Sequence, residues 1–130
     1  MRYNSLVETG CPFCDIELSR IVLDAPLGFC IRDGYPVSPL HSLIIPKRHV
    51  ASFFDLTMNE ERELLGLLQL AKHEIEREKH PDGFNIGINE GLAAGQTVMH
   101  LHIHLIPRYK GDQPDPRGGV RWIFPDKAVY

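Results

Sequence analysis

Three histidines at alternate positions are the residues of this chain best suited to chemistry. His100, His102 and His104 alternate with apolar residues. In a β-strand, side chains two positions apart point to the same face, so the three imidazoles would line one face roughly 7 Å apart, at ~3.4 Å of rise per residue. Near neutral pH, imidazole can act as a nucleophile, a general base, a metal ligand or a phosphate contact.

Three interpretations of this histidine row are open from the residues themselves: a solvated polar strand face, a metal site built from all three imidazoles, and a phosphate-handling strand. The loop of residues 91–97, which contains Gly95, runs directly into the row. A glycine-containing loop lets backbone N–H groups approach an anion closely. Gln96 and Thr97 add neutral donors. This set of donors favours a phosphate over a bare cation.

The histidine row, with Gly95-Gln96-Thr97-Val98 before it, resembles the signature of the histidine triad family of nucleotide hydrolases and transferases. A second stretch, residues 38–50, is similar to that family's other signature strand. The resemblance covers residues 11–108. It implies that His102 is the nucleophile that attacks the α-phosphorus of a nucleotide. It also implies that His104 contacts the phosphoryl oxygens and assists the leaving group.

The resemblance assigns a supporting role to His41, which would orient an imidazole of the triad by hydrogen bonding. Taken alone, His41 also fits an ordinary histidine at a sheet edge. The nucleotide-binding residues that the resemblance implies are Asp33, Phe29, Ile31, Asn89, Gly95, Gln96, Thr97 and His104. Asp33 would hold the ribose hydroxyls, with Phe29 and Ile31 around the base. Asp33 also fits a turn-starting residue, and Asn89 a loop-starting one.

Cys11 and Cys14 form a C-x-x-C pair near the N-terminus. Half of a zinc site, a redox pair and two ordinary buried cysteines are all compatible with the pair itself. The resemblance implies a structural zinc ion held by Cys11, Cys14, His49 and His100. Cys30 lies in an apolar strand and is predicted to be a core residue. No catalytic metal is required, because the donors expected around the phosphate are neutral or cationic.

Composition limits the function classes. The chain has 130 residues, predicted as one domain over residues 1–130, and a formal net charge of −3. That charge argues against a nucleic-acid-binding module. There is no apolar run of about 20 residues, so no membrane association is expected. The first ten residues lack an apolar signal core, and we therefore expect a cytoplasmic protein. The resemblance implies a homodimer whose sheets join.

The elements that position these residues predict an α+β fold, HIT-like, with a mostly antiparallel sheet of about five strands, one long helix and one or two short ones. Strands are expected at residues 20–24, 29–33, 41–47, 84–89 and 100–106. A capping box of Thr57 and Glu60 predicts a helix from there to about residue 79. Its apolar stripe contains Leu64, Leu68, Ala71 and Ile75. A short helix is predicted to end near Ser19.

The two ends of the chain are predicted to be irregular: a loose N-terminus over residues 1–10 and an extended tail over residues 109–130. In the tail, Arg117, Arg121 and Trp122 could hold an extra phosphate and stack a second base. Packing of the tail against a neighbouring subunit is the alternative.

The leading hypothesis is a hydrolase that cleaves a phosphoanhydride or phosphoramidate bond at the α-phosphate of a nucleoside. A nucleotidyltransferase or phosphorylase is the nearest alternative. The family's transferase form has glutamine at the third histidine position, where this chain has His104, and this difference favours hydrolysis. A nucleotide-binding regulatory module with little turnover is the alternative from another class.

Overall fold

A five-stranded antiparallel sheet forms the centre of the fold. The computed structural model describes residues 2–4 and 10–130. The elements are β1 (Arg2–Asn4), β2 (Asp15–Glu17), β3 (Ile21–Asp24), β4 (Gly28–Arg32), β5 (Ser42–Pro46), α1 (Met58–Lys79), β6 (Gly83–Gly87) and β7 (Ile103–Arg108). β1 pairs with β2, and the other strands lie in the order β3-β4-β5-β7-β6, each pair antiparallel. The predicted α+β class is confirmed.

Helix α1 begins and ends where the sequence predicts. The Thr57 hydroxyl accepts the backbone N–H of Glu60 at 3.1 Å, and the Glu60 carboxylate accepts the backbone N–H of Thr57 at 2.9 Å. This capping box satisfies two N–H groups that have no partner within the helix. His80 ends the helix in the left-handed conformation. Of the predicted apolar stripe, Leu64, Ala71 and Ile75 are fully buried and Leu68 is partly buried, and Leu67 is buried beside them.

The sheet has an apolar layer on each face. One layer packs against α1 and contains Cys30, Ile44, Ile103 and Leu105 of the sheet, together with Leu101 just before β7. The other layer consists of Ile16, Phe29, Ile31, Leu43 and Ile45, with Phe13 and Ile21 packed against it. Because strand side chains alternate between faces, His104 belongs to the second layer's side, where it pairs across the strands with Leu43.

Gly28 allows α1 to approach β4 closely. A Cβ atom at this position would lie 2.6 Å from Cδ2 of Leu64 and 3.0 Å from the carbonyl oxygen of Ile45. The first distance is too short for close-packed atoms and the second is unusually tight. A side chain here would require the Leu64 side chain to shift and would crowd the backbone of β5.

Two element predictions differ from the structure. The short helix predicted to end near Ser19 is wrong: residues 15–17 form β2, and a 3-10 turn, Leu18–Arg20, follows. The side chains of β2, which pairs with β1, alternate in exposure, and Ile16 is the buried one. Strand β7 begins at Ile103 rather than near residue 100. The backbone N–H of Leu101 instead bonds the carbonyl of Val50 at 2.7 Å, outside the strand ladder.

The chain ends are more ordered than predicted. β1 lies inside the segment predicted to be loose, while residues 1 and 5–9 lie outside the described residues. The tail contains two 3-10 turns, Gly119–Ile123 and Pro125–Lys127, where an extended segment was predicted. Within the described residues, no helix combines the length and the apolar character that crossing a bilayer needs.

Candidate active site

His102 is held in one orientation by the backbone just before it. Its Nδ1 atom lies 2.9 Å from the carbonyl oxygen of His100. A carbonyl oxygen only accepts, so Nδ1 carries the hydrogen and Nε2 carries the lone pair. The ring of Phe13 meets the imidazole edge-on, with 5.1 Å between ring centroids. His102 therefore offers a basic nitrogen at a defined position on a half-buried ring.

His104 has the opposite tautomer, which a chain of hydrogen bonds determines. The backbone N–H of Val37 donates to Nδ1 of His41 at 3.2 Å. His41 therefore carries its hydrogen on Nε2, which lies 2.9 Å from Nδ1 of His104. His104 accepts that hydrogen bond, so its own hydrogen is on Nε2. The two half-buried imidazoles, 5.2 Å apart between ring centroids, thus carry a lone pair on His102 Nε2 and a donor on His104 Nε2.

The imidazoles of His41 and His104 are both neutral at pH 7. Burial, with smaller contributions from His102 and His41, lowers the pKa of His104 to about 4. Burial also lowers the pKa of His41. The carboxylate of Asp33 opposes both changes, but it does not outweigh the loss of solvent around the rings.

The loop before β5 fixes the position of His41. Leu40 has a φ of 66°, a left-handed conformation that costs a non-glycine residue roughly 1–2 kcal/mol. The Ser42 hydroxyl donates to the Leu40 carbonyl at 2.8 Å, and the His41 N–H donates to the Ser38 carbonyl at 3.1 Å. These bonds hold the strained turn that points His41 at His104.

Asp33 lies beside the His41–His104 pair. One carboxylate oxygen accepts the backbone N–H of Tyr35 at 2.8 Å, which is the turn-starting contact that the sequence also allowed. The other oxygen lies 3.4 Å from Nε2 of His41 and 4.0 Å from Nδ1 of His104. Both oxygens of Asp33 therefore face groups of this chain.

The glycine-containing loop is closed by its own hydrogen bonds, since the N–H groups of Ala94, Gly95 and Gln96 donate to the carbonyls of Gly91 and Leu92. Gly91 and Gly95 both have positive φ angles, 88° and 93°. The Gln96 side chain is buried, accepts the Gly91 N–H at 2.9 Å and donates to the Ala51 carbonyl at 2.9 Å and the Val98 carbonyl at 3.1 Å. All its amide hydrogens are used inside the protein.

The remaining candidate nucleotide-binding residues differ in their exposure to solvent. Asn89, Gly95 and Thr97 are exposed, and Asn89 lies two residues beyond the end of β6. Phe29 and Ile31 have no exposed surface, since they lie in the apolar layer with Ile16. They form part of the packed support below the site rather than its surface.

Cys11, Cys14, His49 and His100 converge, as the resemblance implied. Their four ligand atoms lie within 4.8 Å of one another. The Sγ–Nδ1 distances are 3.4 Å for Cys11–His100, 3.5 Å for Cys14–His100 and 3.1 Å for Cys14–His49. Tetrahedral zinc with bonds of ~2.3 Å to sulfur and ~2.05 Å to nitrogen separates such atoms by roughly 3.6 Å. The four residues could therefore hold a metal ion.

His100 is prepared for ligation by its other nitrogen. Nε2 donates to the carbonyl of Pro46 at 2.8 Å, which leaves the lone pair on Nδ1, the atom that faces the cysteines. Burial lowers the pKa of His100 to about 4, so the ring is neutral near pH 7. A backbone partner that fixes the tautomer is the usual arrangement of a metal-binding histidine.

Three supporting residues have no counterpart in the sequence analysis. Phe13 packs on His102, Val37 determines the tautomer of His41 through its backbone, and Glu90 accepts the backbone N–H of Phe53 at 2.8 Å at the edge of the loop. Phe13 lies inside the C-x-x-C motif, which is the one signal that pointed towards it. A backbone contact such as that of Val37 leaves no mark on residue type.

The basic residues of the tail are engaged within the tail. Arg117 forms an ion pair with Asp115 at 2.9 Å, and Arg121 donates to the Lys127 carbonyl at 2.7 Å. The Arg121 guanidinium also lies 4.5 Å from the ring centroid of Tyr130. Neither arginine is placed as an open phosphate contact.

Comparisons with known proteins agree with this geometry. Residues 17–111 match the family model described as the HIT domain. The chain is 36% identical over 115 residues to the AP-4-A phosphorylase of Mycobacterium tuberculosis strain CDC 1551, covering 84% of this chain and 59% of that protein. It is 40% identical over 97 residues to the bis(5'-adenosyl)-triphosphatase of Dictyostelium discoideum, covering 75% and 65%. It thus spans about three fifths of the length of these two relatives.

Among solved structures, a zinc-bound histidine triad family protein from Mycobacterium smegmatis matches with a TM-score of 0.65. The two are 32% identical, and the match covers 73% of each chain.

Proposed function

The chain belongs to the HIT domain family, and from this premise we propose that it is a nucleotide hydrolase. It cleaves a phosphoanhydride or phosphoramidate bond at the α-phosphate of a nucleoside, through a nucleotidyl-histidine intermediate on His102. The single observation that carries the proposal is the bond from His102 Nδ1 to the His100 carbonyl, because it leaves Nε2 as a nucleophile with a lone pair. The names of the relatives, a phosphorylase and a triphosphatase of adenine dinucleotides, support this substrate class.

In the first step, the lone pair of His102 Nε2 attacks the α-phosphorus, and the bond from phosphorus to the leaving group breaks with its electron pair. The imidazole becomes positively charged in the intermediate. Its Nδ1–H remains bonded to the carbonyl of His100, whose dipole stabilises that charge. In the second step, water attacks the same phosphorus and loses a proton to solvent, and the bond to Nε2 breaks with its electron pair left on nitrogen. A nucleoside monophosphate is released and the ring is neutral again. Two easier displacements replace one difficult displacement.

His104 supplies a hydrogen-bond donor to the reacting phosphate. Its Nε2–H is available because Nδ1 accepts from His41. This donor stabilises negative charge on the phosphoryl oxygens and on the departing atom as the bond breaks. His41 acts through His104 and does not itself touch the phosphate.

The loop of residues 91–97 and Asn89 are the proposed phosphate contacts. Gly91 and Gly95, both with positive φ angles, shape this turn directly before the histidine row. Exposed Thr97 and Asn89 add side-chain donors. Gln96 contributes by holding this turn together, since its amide is bonded to both ends of the loop.

We also propose that Cys11, Cys14, His49 and His100 bind a structural zinc ion. Two thiolates and two neutral imidazoles are a typical zinc ligand set. When bound, the ion supplies a cross-link between the N-terminal turn, the segment after β5 and the start of the histidine row.

A homodimer formed through the sheet edge is part of the proposal. Strand β6 is at the edge of the five-stranded sheet, and Ile86 on it is 50% exposed. An exposed edge strand with an apolar side chain favours pairing with a second copy. Leu65 and Leu70 on α1 are also exposed. Sedimentation of wild-type protein and of Ile86→Lys tests this, with a shift to monomer expected for the variant.

A quenched-flow experiment tests the enzymatic proposal. Protein is mixed with a dinucleoside polyphosphate or an adenosine phosphoramidate labelled at the α-phosphorus, denatured within milliseconds and digested. A labelled peptide containing residue 102, together with release of labelled nucleoside monophosphate, is the expected result. Tight binding of nucleotide with neither product nor adduct would instead identify a binding module.

A phosphorolytic reaction is the second candidate, because one relative is named a phosphorylase. The intermediate on His102 is the same, and inorganic phosphate replaces water in the second step. Product analysis with and without inorganic phosphate separates the two. We expect the nucleoside monophosphate to remain the main product at millimolar phosphate, and a nucleoside diphosphate would show the alternative.

A further inference from the structure

A cavity of about 670 Å³ lies between the sheet and the C-terminal tail. Asn85 and Ile106 line its sheet side, and Trp122 lines its tail side. Asn85 and Ile106 are cross-strand partners, as are Gly87 and His104 two residues along the same strands. Side chains two residues apart share a face and are separated by roughly 7 Å. The cavity therefore continues the face that carries His104.

Trp122 is held in place by the fold of the tail. Its indole N–H donates to the Arg117 carbonyl at 2.9 Å, and the side chain remains 44% exposed. A Cβ atom at Gly118 would lie 2.0 Å from the carbonyl oxygen of Ala128, which is itself fully buried. The tail thus packs against itself at van der Waals distance and presents the indole as a fixed wall of the cavity.

The charges around the cavity are paired with each other. Asp112 accepts from Arg108 at 2.8 Å, and Asp115 accepts from Arg117 at 2.9 Å. Arg108 also donates to the Asn85 side chain at 2.7 Å. With both acids neutralised and both guanidinium groups engaged, the cavity offers no clamp for phosphate. Its chemistry suits a flat, uncharged group that can stack on an indole.

We propose that this cavity binds the outer nucleoside of a dinucleoside polyphosphate, on the leaving-group side of the bond that is cleaved, with its base stacked on Trp122. This inference rests on the proposed function, since it adds a second nucleoside site to the same catalytic face. The polyphosphate chain would run from His104 across Ile106 to the tail. The site would make the chain prefer dinucleoside substrates over nucleotides with a small leaving group.

The protein contains a single tryptophan, so its fluorescence reports on this cavity alone. Diadenosine tetraphosphate and AMP are titrated into full-length His102→Ala protein, with binding followed in parallel by calorimetry. We expect the tetraphosphate to change the emission of Trp122 and AMP to bind without changing it. Three results would contradict the proposed site. They are an equal fluorescence response to both ligands, binding of the tetraphosphate with no fluorescence response, and no binding of the tetraphosphate.

Kinetics of tail variants give the functional test. Trp122→Leu is expected to lower kcat/KM for diadenosine tetraphosphate by roughly tenfold or more, the scale of base–aromatic stacking. It should leave kcat/KM for adenosine 5'-phosphoramidate, whose leaving group is ammonia, within about twofold. Trp122→Phe loses the same indole hydrogen bond but keeps a ring, and it should recover most of the loss. An equal loss with both substrates, or a phenylalanine variant as impaired as the leucine one, contradicts stacking.

The two proposals can fail separately. If wild-type protein cleaves neither substrate but Trp122 still responds to the tetraphosphate alone, the nucleoside site stands and the hydrolase does not. If wild-type protein cleaves both with equal kcat/KM and the fluorescence is silent, the hydrolase stands and the nucleoside site does not.

Discussion

Nε2 of His41 and Nδ1 of His104 lie 2.9 Å apart, and a single backbone N–H, that of Val37, determines the tautomers of both rings. As a result, the neighbouring imidazoles of His102 and His104 have different chemical roles. His102 presents a lone pair and His104 presents a hydrogen, although both are histidines on one face. A nucleophile beside a donor is the arrangement that a displacement at phosphorus needs.

Replacing His102 with alanine should abolish turnover and preserve binding. The nucleophile is lost, so we expect kcat to fall by about 10⁴-fold or more, while the loop contacts to phosphate remain. Steady-state hydrolysis and a calorimetric nucleotide titration measure the two effects. His73→Ala is the matched control, because that side chain is 68% exposed on α1. Full activity in the His102 variant would remove this residue from the mechanism.

Replacing Cys11 with serine should release the metal. A hydroxyl is a poor zinc ligand in place of a thiolate, so we expect the zinc content of purified protein to fall from one ion per chain and the Tm to fall with it. Elemental analysis and thermal denaturation measure both. Cys30→Ala is the control, because Cys30 is buried in the apolar layer against α1. This variant protein should keep its zinc even if the core is weakened. Stoichiometric zinc in the Cys11 variant would refute the ligand set.

Stability should fall as the pH is lowered from about 6.5 towards 4. Histidine in an unfolded chain titrates near pH 6.5, whereas the pKa of folded His104 is about 4. Between these values the unfolded chain binds a proton that the folded chain does not, so acid favours unfolding.

The variant His104→Asn isolates this effect. It should reduce the difference between the unfolding free energies at pH 7 and pH 4.5 by on the order of 1–2 kcal/mol, and urea titrations at both pH values measure it. An unchanged difference would mean that His104 is not held neutral by burial.

Asp33→Asn should move the acidic limb of the kcat/KM profile to lower pH. The carboxylate lies 3.4 Å from Nε2 of His41, and its charge raises the pKa of both His41 and His104 against the effect of burial. Without that charge, protonation of the pair requires more acid. Asp24→Asn, on β3 and paired with Lys47, should leave the profile in place.

Asp33→Asn also tests whether Asp33 contacts the ribose of the substrate. If Asp33 holds the ribose hydroxyls, Asp33→Asn should abolish the preference for ribonucleotide over 2'-deoxyribonucleotide substrates. We expect the preference to persist, because both oxygens of Asp33 face groups of this chain. Loss of the preference with an unmoved pH profile would assign Asp33 to the sugar.

Much of the fold follows from local patterns. The capping box of Thr57 and Glu60 marks the start of α1, and the spacing of Leu64, Ala71 and Ile75 marks its buried face, because helical periodicity acts within a few residues. The short helix predicted near Ser19 failed for the complementary reason. Its residues pair with β1, and a strand pairing of this kind is not encoded within the segment.

By itself, the sequence determined the class of fold and the residue types available for chemistry: the histidine row, the C-x-x-C pair and the glycine-containing loop. The tertiary structure decided what each of them does. Cys11 and His100 meet across 89 positions of chain, Gln96 turns inward to Ala51, and Trp122 closes a cavity against Asn85. The physical reason is that a tautomer, a ligand set or a cavity wall depends on the atoms opposite a side chain, and chain folding brings those atoms from distant positions.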